Sequence, residues 1–119
     1  LLSIIESTNL ENGVVHCFSS DWELAKKILS HNIKLSFTGM VTFIKEPIHE
    51  VLTKIDLKDF FIETDSPYLA PIPYRGKRNE PAMIKLIAEK IGEIKQVPTQ
   101  KIIESTTENA LNFFKKLKN

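Results

Sequence analysis

The chain has 119 residues, 42% of them hydrophobic and 26% charged, enough apolar content for one small folded domain and too much for a disordered one. A formal net charge of +1 gives no global pull toward nucleic acid or an acidic surface, so any anion-binding role has to be local. A single cysteine, Cys17, excludes an intrachain disulfide framework and fits a reducing, cytoplasmic setting. No apolar run approaches the roughly 20 residues a membrane-spanning helix needs. The N-terminus shows no basic region followed by an apolar one, as a secretory leader would.

Taken in order, residues 1–7 (LLSIIES) read as the end of an amphipathic helix, and 9–13 supply turn residues. A chain that starts inside a helix, without Met, reads as the C-terminal part of a longer protein. Residues 14–18 (VVHCF) form a short continuous apolar run, the pattern of a strand covered on both faces, interrupted by His16. Ser20 with Glu23 three residues on predicts a capping box opening a helix. Trp22, Ala25, Ile28 and Leu29 give that helix its apolar face, and it should end near His31 and Asn32. Residues 33–38 alternate Ile33, Leu35 and Phe37 against Lys34, Ser36 and Thr38, predicting a second strand that Gly39 ends.

Pro47 suits the first turn of the next helix, where Ile48, Val51, Leu52 and Ile55 recur at helical spacing. Residues 58–64 predict a third strand with an apolar centre. A loop over 65–79 carries Pro67, Pro71 and Pro73, then the basic cluster Arg75, Gly76, Lys77, Arg78. A long helix starts near Pro81, with Ile84, Ile87, Ala88, Ile91 and Ile94 on one face. The stretch 96–98 breaks it, and a last helix uses Ile102, Ile103, Ala110, Phe113, Phe114 and Leu117.

The resulting order, β-α-β-α-β-α-α, predicts an α/β fold with a parallel sheet. The whole of 1–119 reads as a single partial domain. Three strands cannot close a barrel and would leave two edges, so completion by a preceding part of the chain or by another chain is expected.

Three groups of residues have chemistry to offer. His16 lies near the C-terminal end of the first strand, the side on which parallel α/β proteins bind ligands. It reads either as a core histidine bonded to a backbone carbonyl or as a metal ligand or general base. Glu63 and Asp65 lie at the corresponding end of the third strand, with alternation placing them on one face. They read as caps or partners of the nearby arginines, or as part of a divalent-metal site with Asp65 as an oxygen ligand. Arg75, Lys77 and Arg78 read as a solvated patch or as a clamp on a phosphodiester. Tyr68 and Tyr74 flank them, to stack on bases or to pack the prolines. Cys17, among apolar neighbours, is no convincing nucleophile. His31 and His49 read as helix-surface residues without companions at metal-ligand spacing.

GVVHCFSS (13–20), LSFTGMVTF (35–43), IETDSPYLAPIPYRGKRNEP (62–81) and TTENALNFF (106–114) occur in this order, and together they closely resemble the C-terminal half of the TatD family of metal-dependent deoxyribonucleases. The resemblance runs from Gly13 onward. It implies that the three strands are the last three of a TIM-type (β/α)8 barrel. It further implies a hydrolase cleaving DNA phosphodiesters, exonucleolytically, with two divalent metal ions (magnesium, manganese or zinc) per complete site. His16 would then be a metal ligand, and Asp65 a metal ligand and the general base for the attacking water. Arg75, Lys77, Arg78 and Tyr68 would lie along the DNA. The role of Glu63 is left open by the resemblance. The family's His-x-His pair, a glutamate and a further histidine come from earlier strands and have no counterpart here, so this stretch alone should be inactive. Two rival functions remain at this level: a barrel hydrolase cleaving an amide or ester, and a non-catalytic binding or assembly fragment.

Overall fold

The computed structural model describes residues 13–63 and 84–118. The helix tail expected over 1–7, the loop over 65–79 and the helix start at Pro81 lie outside the described residues, as do Asp65, Tyr68, Tyr74, Arg75, Lys77 and Arg78. The described elements run β1 (Val14–Val15), α1 (Trp22–Leu29), β2 (Lys34–Phe37), a 3-10 turn (Gly39–Thr42), α2 (Ile48–Lys54), a second 3-10 turn (Leu57–Asp59), β3 (Phe60–Ile62), α3 (Ile84–Lys95) and α4 (Thr99–Lys118). The strands pair in parallel in the order β1-β2-β3, with Val15 opposite Leu35 and Phe37 opposite Ile62. All three C-terminal ends therefore open on one side of the sheet.

The first and third strands are shorter than the apolar runs imply. The first leaves its ladder at His16 and Cys17 and rejoins it through a bond from the Phe18 N–H to the Ser36 carbonyl (2.9 Å). Cys17 carries φ 52°, in the left-handed region that L side chains seldom occupy. The third strand starts two residues late because residues 57–59 wind into the 3-10 turn. The Lys34 ammonium holds the Asp59 carboxylate of that turn at 3.1 Å, and the Asn109 amide of α4 donates to the Leu57 and Phe60 carbonyls at 2.7 and 2.8 Å. These contacts fix where β3 begins. At its far end the Glu63 N–H donates to the Phe37 carbonyl (2.8 Å), carrying the pairing one residue beyond Ile62.

The alternation over 33–38 does not mark one wet and one dry face. Ser36 and Thr38 are as buried as Leu35 and Phe37, so this central strand is covered on both sides. Phe18, Phe37 and Phe60 meet edge to face, with ring centroids 6.2 and 5.6 Å apart, and Phe61 packs on Phe113 of α4 at 5.5 Å. Each buried aromatic contributes about 1.5–3 kcal/mol through removal from water. Ala25 and Ile28 of α1, Ile48, Val51 and Leu52 of α2, Ile87, Ala88 and Ile91 of α3, and Ile102 of α4 complete one core.

The helix ends follow local chemistry. α1 is capped by Asp21, whose carboxylate accepts from the Leu24 N–H at 3.0 Å, rather than by the expected Ser20. The cap lies one residue later than expected, and its carboxylate accepts from the N–H three residues on, as an N-cap does. Glu23 instead stands 3.5 Å from Lys26. Pro47 takes the N-cap position of α2, one residue before its first turn. α3 closes with Gln96 at φ 58°, its N–H directed to the Glu93 carbonyl and the Val97 N–H to the Gly92 carbonyl. Those paired bonds define a Schellman ending. They also explain Gly92, where a Cβ would lie 2.8 Å from the Val97 carbonyl oxygen. No helix among the described residues is long and apolar enough to cross a membrane.

Candidate metal-binding strand ends

At the C-terminal side of the sheet, the ends of β1 and β3 are separated by β2, yet their side chains meet. The His16 Nδ1 lies 3.1 Å from one carboxylate oxygen of Glu63 and 3.4 Å from the other. A carboxylate only accepts, so this contact places a proton on Nδ1, and in the neutral ring the lone pair is then on Nε2. Nε2 has no hydrogen-bond partner among the described residues. The His16 side chain is 78% exposed, against 25% for Glu63. The reading of His16 as a core histidine bonded to a carbonyl is therefore set aside: the residue is exposed and its partner is an acid. The same Glu63 oxygen accepts from the Cys17 backbone N–H at 3.4 Å.

The floor of this region is made by the end of β2. Thr38 is buried, and its hydroxyl accepts from the Met40 N–H at 3.3 Å. The Cys17 thiol points back onto it, 3.7 Å from the Thr38 hydroxyl and 3.4 Å from the Met40 sulfur. The thiol is half-buried between a hydroxyl and a thioether, and no Lys or Arg stands beside it among the described residues to activate a nucleophile. His49 is no bare surface residue. It is half-buried, with Nε2 3.2 Å from the Val41 carbonyl oxygen, and it braces α2 against the preceding 3-10 turn. His31 sits in the turn after α1, one residue past its cap, and is likewise half-buried.

Among the described residues no group of three or more histidine, cysteine or acidic side chains converges as a metal cage. The donor chemistry nevertheless fits a divalent cation. One imidazole has a nitrogen without a partner among the described residues at the C-terminal end of a parallel sheet, its other nitrogen held by a carboxylate. That is the arrangement in which metal-ligating histidines are ordinarily found. Of the residues singled out from the sequence, the structure brings together His16, Glu63 and Cys17. The pairing of Glu63 with His16 has no signature in the sequence, because it depends on a 47-residue separation closing across the middle strand.

The model of the TatD related DNase family matches residues 1–115, and the chain belongs to that family. Among curated relatives it is 43% identical over 112 residues to YabD, an uncharacterised metal-dependent hydrolase of Bacillus subtilis (strain 168), covering 92% of this chain and 44% of that protein. It is 42% identical over 103 residues to YcfH, an uncharacterised metal-dependent hydrolase of Escherichia coli (strain K12), covering 86% of this chain and 39% of the relative. Among solved structures, the TatD homologue YJJV of Escherichia coli superimposes with a TM-score of 0.86 at 23% identity, over 95% of this chain and 44% of that one. The chain thus spans about two-fifths of the length of the relatives it matches. Its three parallel β/α units have the fold of the corresponding part of a TatD-type (β/α)8 barrel.

Proposed function

We propose that this chain supplies the last three strands of a metal-dependent hydrolase that cleaves phosphodiester bonds in DNA from strand ends, in the cytoplasm. The observation that carries this reading is His16, offered to solvent at the C-terminal end of a parallel sheet with one ring nitrogen unpartnered among the described residues, in a chain of a family whose model is described as a DNase. The relatives described as metal-dependent hydrolases support the coarser half of the proposal. The cluster of Arg75, Lys77 and Arg78 in the sequence supports the finer half.

In this reading His16 holds a divalent metal through Nε2, and Asp65 contributes a carboxylate oxygen to the same centre. When bound, the metal supplies Lewis acidity toward the phosphoryl oxygen and acidifies water. Asp65 takes the proton of the attacking water. Arg75, Lys77 and Arg78 offset phosphate charge as it grows toward the transition state, and Tyr68 stacks on a base. The remaining ligands, and closure of the sheet, come from preceding barrel units or from another chain.

The test uses the protein in the full length its gene encodes, with end-labelled single-stranded DNA, with and without a chelator. Cleavage that stops on chelation and returns with magnesium, manganese or zinc is the expected result. Asp65→Ala abolishes turnover, whereas Arg75→Ala mainly raises KM, because it removes phosphate binding and leaves the base. Cleavage of amide or ester substrates with DNA untouched overturns the nuclease assignment. Near-normal turnover in Asp65→Ala removes that residue from the chemistry.

A further inference from the structure

We infer that Glu63 is a positioning residue for the metal centre: a single carboxylate that fixes both the tautomer of His16 and the backbone that carries it. This rests on the reading of His16 as a metal ligand and adds a role for a residue which that reading leaves unassigned.

Four observations meet at Glu63. Its own backbone is anchored, since its N–H donates to the Phe37 carbonyl at 2.8 Å and thereby registers it at the end of the middle strand. From there one carboxylate oxygen reaches across β2 to the His16 Nδ1 at 3.1 Å. The same oxygen receives the N–H of Cys17 at 3.4 Å. Cys17 is the residue at which the chain leaves the ladder in a left-handed conformation. The carboxylate thus satisfies the backbone donor freed by that departure, and the departure turns His16 out of the sheet. Among the described residues Glu63 has no other side-chain partners, so neither a helix cap nor an ion pair within the described core accounts for it.

The physical consequence concerns which nitrogen is available. A free neutral imidazole distributes its proton between both nitrogens and turns about two side-chain torsions. With Nδ1–H committed to an acid, the lone pair is confined to Nε2 and the ring plane is fixed before a metal arrives. A strained backbone site beside the ring is held by the same acid, so the ligand's position and its electronic state depend on one side chain.

Manganese titrated alone into the full-length protein, together with nitrogen-15 NMR of the metal-free His16 ring in alkaline buffer, tests this. In the wild type the ring should show a protonated Nδ1 and an unprotonated Nε2. Glu63→Ala should return it to a mixed tautomer and weaken manganese binding by roughly 10–100-fold, the usual effect of losing such a partner. Glu63→Gln keeps an acceptor for Nδ1–H and should recover most of the loss along with the wild-type ring signature. An unchanged tautomer and affinity in Glu63→Ala overturns the inference. So does a loss as large as that of His16→Ala with no recovery in Glu63→Gln, which would make Glu63 a direct ligand. If His16→Ala binds manganese as the wild type does, the ligand reading beneath the inference falls instead, and the inference with it.

Discussion

Lys95 shows how one side chain near the end of α3 supports the fold. Its ammonium donates to the Leu52 carbonyl at 2.7 Å and to the Ile55 carbonyl, closing the C-terminus of α2, and it stands 6.0 Å from the Phe60 ring centroid. Burial pushes its pKa below the ordinary lysine range, while the Asp56 carboxylate pulls partly the other way. The sign of the pH effect follows. Below the depressed folded-state value both states hold the proton, and the burial cost stands in full. Between that value and the ordinary lysine range the unfolded state binds more protons, so stability rises with pH. Lys95→Met should lower stability by about 1–3 kcal/mol at neutral pH, the cost of orphaning carbonyls served by a charged donor. It should also lack the alkaline rise, which urea unfolding at a series of pH values would show. Nothing in the sequence singles out Lys95. The carbonyls it serves lie some forty residues away, and periodicity carries no information about them.

At the scale of elements, what was legible was whatever local chemistry decides. The apolar faces of α1, α2 and α3 follow from helical spacing, and Ala25, Ile28, Val51, Leu52, Ile87, Ala88 and Ile91 are all buried as expected. The break at Gln96–Pro98 is likewise where α3 ends. What was not legible was where β1 stops and where β3 begins, because both are settled by neighbours: by Glu63 catching the Cys17 N–H after β1, and by Asn109 clamping the turn before β3. The cap of α1 is Asp21 where Ser20 was expected, a shift of one residue within the same local sequence. One ending carries a cost that can be removed. Gln96 holds φ 58°, a conformation glycine adopts freely and a side chain does not. Gln96→Gly should therefore stabilise the fold by about 0.5–1 kcal/mol, offset in part by greater freedom in the unfolded chain, measurable as a higher urea midpoint at unchanged slope.

For the molecule as a whole, the sequence motifs carried the family and the parallel sheet, and the structure supplied the geometry that makes one end of that sheet chemically useful. Of the candidate site, His16 and Glu63 could each be singled out from a place at a strand end, but their pairing across the middle strand could not. Asp65 and the cations at 75, 77 and 78 lie outside the described residues. In the proposed site the C-terminal strand ends hold a metal through His16 while Glu63 keeps the opposite nitrogen occupied. An anomalous-scattering map of the full-length protein crystallised with zinc tests this. The expected peak lies about 2.0–2.1 Å from His16 Nε2, with Glu63 still hydrogen-bonded to Nδ1. A peak bound through Nδ1 with Glu63 turned away, or a loaded site elsewhere with His16 unliganded, would contradict it.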